Sequence, residues 1–517
     1  MHNRSRKIVV GSTLALLAVG AACHNDTITD LNQNPNSPED VPASTLFTSG
    51  VRTSVNNWMG QLYNLRATEF IIQHMAEAQY PDEDRYARLG ASNTATVFGN
   101  PYPGELEDFQ KVITKGQTAK SAGTWAPAQI MQTWEYHYMT NTFGDVPYSQ
   151  ALQGDSLGGS ISPAYDAQKD IYTDMFAKLD ASSKALTGAA SDLGRADPIY
   201  GGDPTSWQRF ANSLRARLAI TLSNVDLATA NTQLAAALKG PGGVIATNAQ
   251  NAKLVWPGDG VYDNPFASFF QTRDDNRMSQ TLVNLMNTSS DPRLGVYAQP
   301  LPGTTNTYAG MPNGLTAAQA GTFLNKASRI GAALFPGATA YGFYGGAGKG
   351  FPSFMMTAAE VNFIQAEAAE RGIGGLTPAQ AKGFYEAGIR ASMDQWGVTN
   401  AAAITAYLAM PAVAYTPGVA GLKQIAVQKY VALYTDGGTA WTEWRRTCEP
   451  ETIKPGPAAT SSTVPRRLMY SPTEVQVNAT QLSAAIARQG ADAFQTRVYW
   501  DTKPTAAPTY TSTCGAQ

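Results

Sequence analysis

Catalysis requires nucleophiles, acids and bases at workable spacings, and this chain carries few of them. Four His and three Cys are spread over 517 residues. His2 and His24 precede the first patterned segment. His74 and His137 are too far apart for the i,i+4 pair with which one helix face grips zinc. No H-E-x-x-H, G-x-S-x-G or Walker A run occurs. The glycine-rich run at 346–350 lacks the Ser or Thr that a phosphate loop needs after its Lys, and it reads as a loop. Asp274 with Asp275, and Glu367 with Glu370, have the residue type for two-carboxylate glycoside hydrolysis, which demands a set separation across a sugar. Acids beside an Arg such as Arg273 ordinarily form ion pairs instead. The expectation is a protein without catalytic residues, metal or cofactor.

The composition narrows the partners. With 38 Lys+Arg against 40 Asp+Glu the net charge is −2, and no Lys/Arg run exceeds two residues, so no cationic face for nucleic acid is evident. Charged residues make up 15% of the chain, against about 25% in ordinary domains. The aromatic share is 10%, with 23 Tyr. Such a chain is built to fold rather than to remain disordered.

The first residues have the form of an export signal. Arg4, Arg6 and Lys7 precede an apolar run at 8–19, too short to cross a bilayer core of about 30 Å. Gly20, Ala21 and Ala22 then lead to Cys23. This is the pattern of a bacterial lipoprotein signal at 1–22, cut so that the Cys23 thiol carries a diacylglycerol. Gly20 stands where such signals usually have Leu. Residues 23–36 are polar and read as a tether, and removing 1–22 takes away three bases and no acid, moving the net charge from −2 to −5. Cys448 and Cys514 then form an even pair in an exported chain, which favours a disulfide.

The positioning elements are mainly helical. Periodic apolar residues predict helices over 44–79, 126–139, 166–186 and 205–222. The last has a stripe of Trp207, Phe210, Leu214 and Leu218, with Arg209, Arg215 and Arg217 off it. Helices at 354–370 and 377–396 flank a Gly-rich link, the second opened by Thr377 and Pro378 as cap and first turn. Small residues on one and Tyr and Ile on the next resemble a tetratricopeptide (TPR) hairpin, although no strict 34-residue repeat is present. Between the helices run loops at 80–104, 257–276 and 299–354, rich in Gly, Pro, Asp and aromatics. Loops this long in a compact domain are usually functional. The reading is one domain over 37–517, mainly α, with a TPR-like helix-hairpin scaffold and a long loop-rich irregular part.

Several fragments, in order along the chain, resemble the SusD/RagB family of outer-membrane nutrient-binding lipoproteins. They are LNQNPN at 31–36, FGDVPYSQAL at 143–152, DPIYGGDPTSWQRFANSLRARLA at 197–219, DPRL at 291–294, PNG at 312–314, AEVNFIQAEAAERG at 359–372, QKY at 428–430 and WTEWRRTCEP at 441–450. Cys448 stands where the family usually has Gly.

The resemblance implies a non-enzymatic surface lipoprotein. It would bind oligosaccharides and pass them to a SusC-like TonB-dependent β-barrel transporter in the outer membrane. Peptide ligands are the alternative; an exported TPR-type adaptor or a glycoside hydrolase are rival classes. The signature motifs read as structural, with Asp145 fixing a local turn by accepting backbone N–H bonds. Ligand contacts fall in the loops, where sugar C–H faces can stack on rings and hydroxyls can find polar partners. The candidates are Arg85, Tyr86 and Phe98, then Tyr341, Phe343 and Tyr344.

Overall fold

The computed structural model describes residues 40–87, 89, 96–154, 159–270, 273–331, 348–502 and 514. Cys23, the segment 31–36, the start of the glycine-rich run, and Tyr341, Phe343 and Tyr344 lie outside the described residues. The described residues from Ala43 onward belong to one unit.

Helices dominate because the apolar residues recur at helical spacing and the ends are capped. In the first half, α1 (Ala43–Met59), α2 (Glu105–Thr118), α3 (Ala122–Phe143), α4 (Gln168–Ala185), α5 (Pro204–Thr221) and α6 (Leu227–Leu238) follow one another. Consecutive members from α2 to α6 pack against one another. At the start of α5 the Asp203 carboxylate accepts from the Ser206 N–H at 3.0 Å, and Pro204 occupies the first turn. Its stripe of Trp207, Phe210, Leu214 and Leu218 is fully buried. Arg217, expected on an open face, is 1% exposed, because a second layer covers that side as well. Glu360 supplies the compensation, taking two bonds from the guanidinium at 2.7 and 2.6 Å.

In the second half, α7 (Ala358–Glu370) and α8 (Pro378–Gln395) form the expected TPR-like hairpin, followed by α9 (Val419–Ala432) and α10 (Gly437–Thr447). Thr377 and Gln380 form a reciprocal capping box at the α8 start. Ala359, Phe363 and Ala366 of α7 pack on Tyr385, Ile389 and Met393 of α8. Gly388 allows the close approach: a Cβ there would lie 2.8 Å from the Phe363 ring. Residues 354–356, expected in the α7 helix, belong instead to a strand, Ser353–Met356, paired antiparallel with Ala252–Leu254.

The long helix expected over 44–79 is broken. After α1 the chain turns at Gly60 and continues as a π-helix, Gln61–Thr68, and one α-turn, Glu69–Ile71. It then becomes a strand, Met75–Glu77, paired antiparallel with Asn276–Met278 so that Glu77 opposes Asn276. The partner strand lies some two hundred residues on, and local periodicity carries no trace of it. A third short pair joins Val146–Pro147 to Tyr165–Asp166.

The C-terminal stretch closes over the helices of the first half. Arg488, from the helix α11 (Ala479–Gln489), bonds the Asp145 carboxylate at 2.7 Å, and Gln489 accepts from the Asp145 N–H at 2.7 Å. Tyr470 donates to the Asp145 carbonyl at 2.6 Å, and Trp500 to Asn141 at 2.8 Å. Asp145 also accepts from the Gln168 N–H at 2.8 Å, at the head of α4. It is therefore a long-range tie rather than the local turn-former expected. Cys448 and Cys514 are joined by a disulfide.

Candidate functional site

The π-helix Gln61–Thr68 is the hub of the site. Runs of this kind are rare and recur at functional positions. Its first residue, Gln61, donates to the Pro265 carbonyl at 3.2 Å and so holds the short helix Pro265–Phe270. Its Arg66 is paired with Glu83 in the loop that follows the Met75–Glu77 strand. One eight-residue element thus positions two loops far apart in sequence.

The loop at 78–87 is fixed from beneath. Asp84 is buried and accepts from Asn313 Nδ2 at 2.7 Å, the Gly314 N–H at 3.1 Å and the Glu77 N–H at 3.3 Å. Burial pushes its carboxyl up to about 7, against the pull of the Asn313 bond. The PNG motif is thereby explained. Gly314 has a left-handed backbone (φ +65°), and a Cβ there would sit 2.8 Å from Gly456. Burial, then the neighbouring Glu83 carboxylate, push Glu77 up to about 11, so it is uncharged at neutral pH.

On this base stands an exposed aromatic and cationic face. Tyr80 has a left-handed backbone (φ +56°) and is 65% exposed. The Arg273 guanidinium lies 5.4 Å from the Tyr80 ring centroid and 5.1 Å from that of Phe269. Cation–π attraction to both rings and an ion pair with the buried Asp275 hold it in place. Its side chain remains 42% exposed. A saccharide can lay a C–H face on Tyr80 while its hydroxyls accept from Arg273.

The same π-helix borders a polar cleft of about 370 Å³, lined by Asn56, Asn57, Gln61, Asn100, Thr96 and Glu105, among others. Within its lining, Asn57 Nδ2 and Glu105 Oε1 are buried with no hydrogen-bond partner. One is a donor and the other an acceptor, and a hydroxyl group serves both.

The residues chosen from sequence fall differently. Arg85 is at this site, partly exposed and paired with Asp82 at 2.6 Å, and its carbonyl accepts from the Thr460 N–H at 2.8 Å. Tyr86 and Phe98 lie in the core and not on the exposed face: they are 3% and 1% exposed. Phe98 stands edge-on to Phe143 at 5.0 Å and to Tyr470 at 5.7 Å. The loop folds back on the core and spends those rings on packing. Tyr80, Phe269 and Arg273 were missed, although they lie in or at the edge of the two loops singled out.

The acids and His74 considered for catalysis are engaged by other protein groups, and His137 is buried in the core. Asp274 meets Arg277 and Arg329, Asp275 meets Arg273, and Glu367 is bound by Arg446 and Arg371. Glu370 accepts from Tyr415 and the Gly418 N–H. His74 lies between Glu69 and the Tyr430 carbonyl, both at 3.1 Å. Burial drives the His137 imidazole well below its usual range. Among the described residues no group of three or more His, Cys, Asp or Glu is placed to hold a metal ion. No helix among them is long and apolar enough to cross a membrane.

Comparison with known proteins gives a family and a set of related structures. Residues 35–471 match the SusD-like family, described as starch-binding and associating with the outer membrane. A chitin-binding protein of solved structure is similar at 26% identity, covering 90% of this chain and all of the other, with a TM-score of 0.76. A chitin-binding SusD homologue from Flavobacterium johnsoniae is 28% identical, covering 88% of this chain and 98% of the other, with a TM-score of 0.75. A SusD homologue from Bacteroides uniformis, at 24% identity and a TM-score of 0.72, covers 90% of this chain and all of its own and shares the fold. No curated protein matches.

Proposed function

Because the chain belongs to the SusD-like family, starch-binding and associated with the outer membrane, we propose that it binds oligosaccharides at the cell surface, leaves them chemically unchanged and delivers them to a TonB-dependent β-barrel transporter. The observation that carries the reading is the Tyr80–Arg273–Phe269 face, an exposed ring beside a pre-oriented guanidinium. Preorganisation lowers the entropic cost of binding a flexible glycan. The orphan donor and acceptor in the adjoining cleft support the same class, because sugar hydroxyls can both donate and accept. The chitin-binding relatives favour glycans over peptides as first ligands to test. In this reading Cys23 carries the lipid that holds the protein at the membrane, and the whole of 37–517 forms the binding domain.

The test is calorimetry with starch and chitin oligosaccharides and a peptide panel on wild type, Tyr80→Ala and Arg273→Ala. Each variant should weaken glycan binding about tenfold or more, the scale of one stacked ring or one charge-assisted contact. Unchanged affinity in both variants would remove this face from the reading. Chain shortening of a bound oligosaccharide would remove the non-enzymatic role. Co-purification of a β-barrel transporter with wild type, and release from membranes by Cys23→Ser, test the partner and the anchor.

A further inference from the structure

The FGDVPYSQAL signature takes no part in the site above, yet it builds a second cavity. Tyr148, Ala151 and Leu152 of that motif help line a space of about 500 Å³, together with Gln132 from α3 and Asp166 and Asp174 from the start and middle of the α4 region. That volume lies within the range of small-ligand pockets. None of these residues belongs to the loop site.

Two tyrosines in this cavity differ in one respect. Tyr148 is satisfied: its hydroxyl donates to Asp174 at 2.6 Å and accepts from Lys178 at 3.0 Å, and the Lys178 ammonium lies 4.6 Å from its ring. Tyr136, edge-on to Tyr148 at 4.6 Å, also lines the cavity and is 3% exposed, but its hydroxyl is buried without a hydrogen-bond partner. A buried orphan hydroxyl is destabilising, and Phe would fill the same volume without that penalty. An occupant that bonds the phenol removes the penalty.

The surrounding groups define the occupant. The phenol can donate and accept; Gln132, whose Nε2 donates to the Leu106 carbonyl and to Gln110 Oε1, offers its amide oxygen, and Asp166 and Asp174 accept only. Hydroxyls on a compact ring match that set, since each can do both. Among the described residues that line the cavity, Asp166, Asp170 and Asp174 stand with one ammonium, Lys178, so an added carboxylate or sulfate would meet like charge. We propose that this cavity is a second saccharide site, taking one or two non-anionic sugar units with the Tyr136 hydroxyl as a central contact.

The experiment uses the full-length protein with Tyr80→Ala and Arg273→Ala combined, so that the loop site is silenced, and compares it with the same protein carrying Tyr136→Phe. Calorimetric titrations employ maltotriose, glucosamine and glucuronic acid. The loop-silenced protein should retain saturable binding of maltotriose or glucosamine and show none for glucuronic acid. Adding Tyr136→Phe should weaken that binding about tenfold, the loss of one buried hydrogen bond. Its melting temperature should equal or exceed that of its parent, which separates a lost contact from a lost fold. No sugar binding once the loop site is silenced, or binding that Tyr136→Phe leaves unchanged, would overturn the proposal. Loss of loop binding with survival here would set the two sites apart.

Discussion

Replacing Glu367 by Gln should loosen the TPR-like hairpin from the rest of the molecule. Glu367 lies on α7 with its side chain 2% exposed and accepts from Arg446 of α10 at 2.5 and 2.6 Å and from Arg371 Nε at 2.8 Å. Burial alone would push its carboxyl up, but Arg446 and Arg371 outweigh burial and hold it at about 2, against 4.5 when free. Because the folded value lies below the unfolded one, this stabilisation is fully present above pH 4.5 and disappears as the pH falls towards 2. A depression of that size corresponds to about 3 kcal/mol. Removing one partner of a buried pair ordinarily costs about 3–5 kcal/mol. The variant leaves Arg446 with Glu443 at 2.6 Å and Arg371 with Asn224 at 3.2 Å, so two guanidiniums lose their best acceptor. Urea unfolding at pH 7 should show the loss in full. The gap between wild type and variant should then close between pH 4.5 and pH 2. A Glu367→Gln protein as stable as wild type at pH 7, or a gap that does not close in acid, would refute the reasoning.

Other perturbations have equally definite outcomes. Replacing Cys448 and Cys514 together by Ser opens a closure spanning 66 residues. It should lower stability by up to about 4 kcal/mol in the chain-entropy picture, read as the difference between reduced and oxidised wild type and its absence in the variant. Gly438→Ala places a methyl 2.7 Å from the Tyr63 ring and 2.8 Å from the Tyr138 ring, both buried. It should cost about 1–3 kcal/mol by overpacking, measured by thermal or denaturant unfolding.

What could be read from sequence follows how local each determinant is. The helix α5 was legible almost to the residue, because its apolar stripe lies within the segment itself; its cap Asp203 and first-turn Pro204 lie just before it and went unread. The α7–α8 hairpin was legible for the same reason, apart from the strand at 353–356, whose partner lies about a hundred residues earlier. The break after Met59 was not legible, since it depends on a strand at 276–278 and on what packs around Gly60. For the site, the loops were identified but most of the residues within them were not. Whether a loop aromatic faces solvent or the core depends on how the loop folds back: Tyr80 points out, while Tyr86, six residues later, points in. The orphan hydroxyl of Tyr136 is invisible to any sequence pattern, because it is defined by what lies opposite it in space.

The ties at Asp145 and Asn141 also govern the order in which this chain can mature. A polypeptide emerging from the ribosome presents its N-terminal half first, and domains generally fold in that order. Here Asn141 and Asp145 receive Trp500, Arg488, Gln489 and Tyr470 only after more than three hundred further residues have been made. Until then the helices α3 and α4 carry an open seam of apolar and polar groups. Closing it requires contacts of very high sequence separation, the kind that form slowly. The nascent protein is therefore committed late. Its first half cannot complete its packing before the segment from Tyr470 to Trp500 has been made.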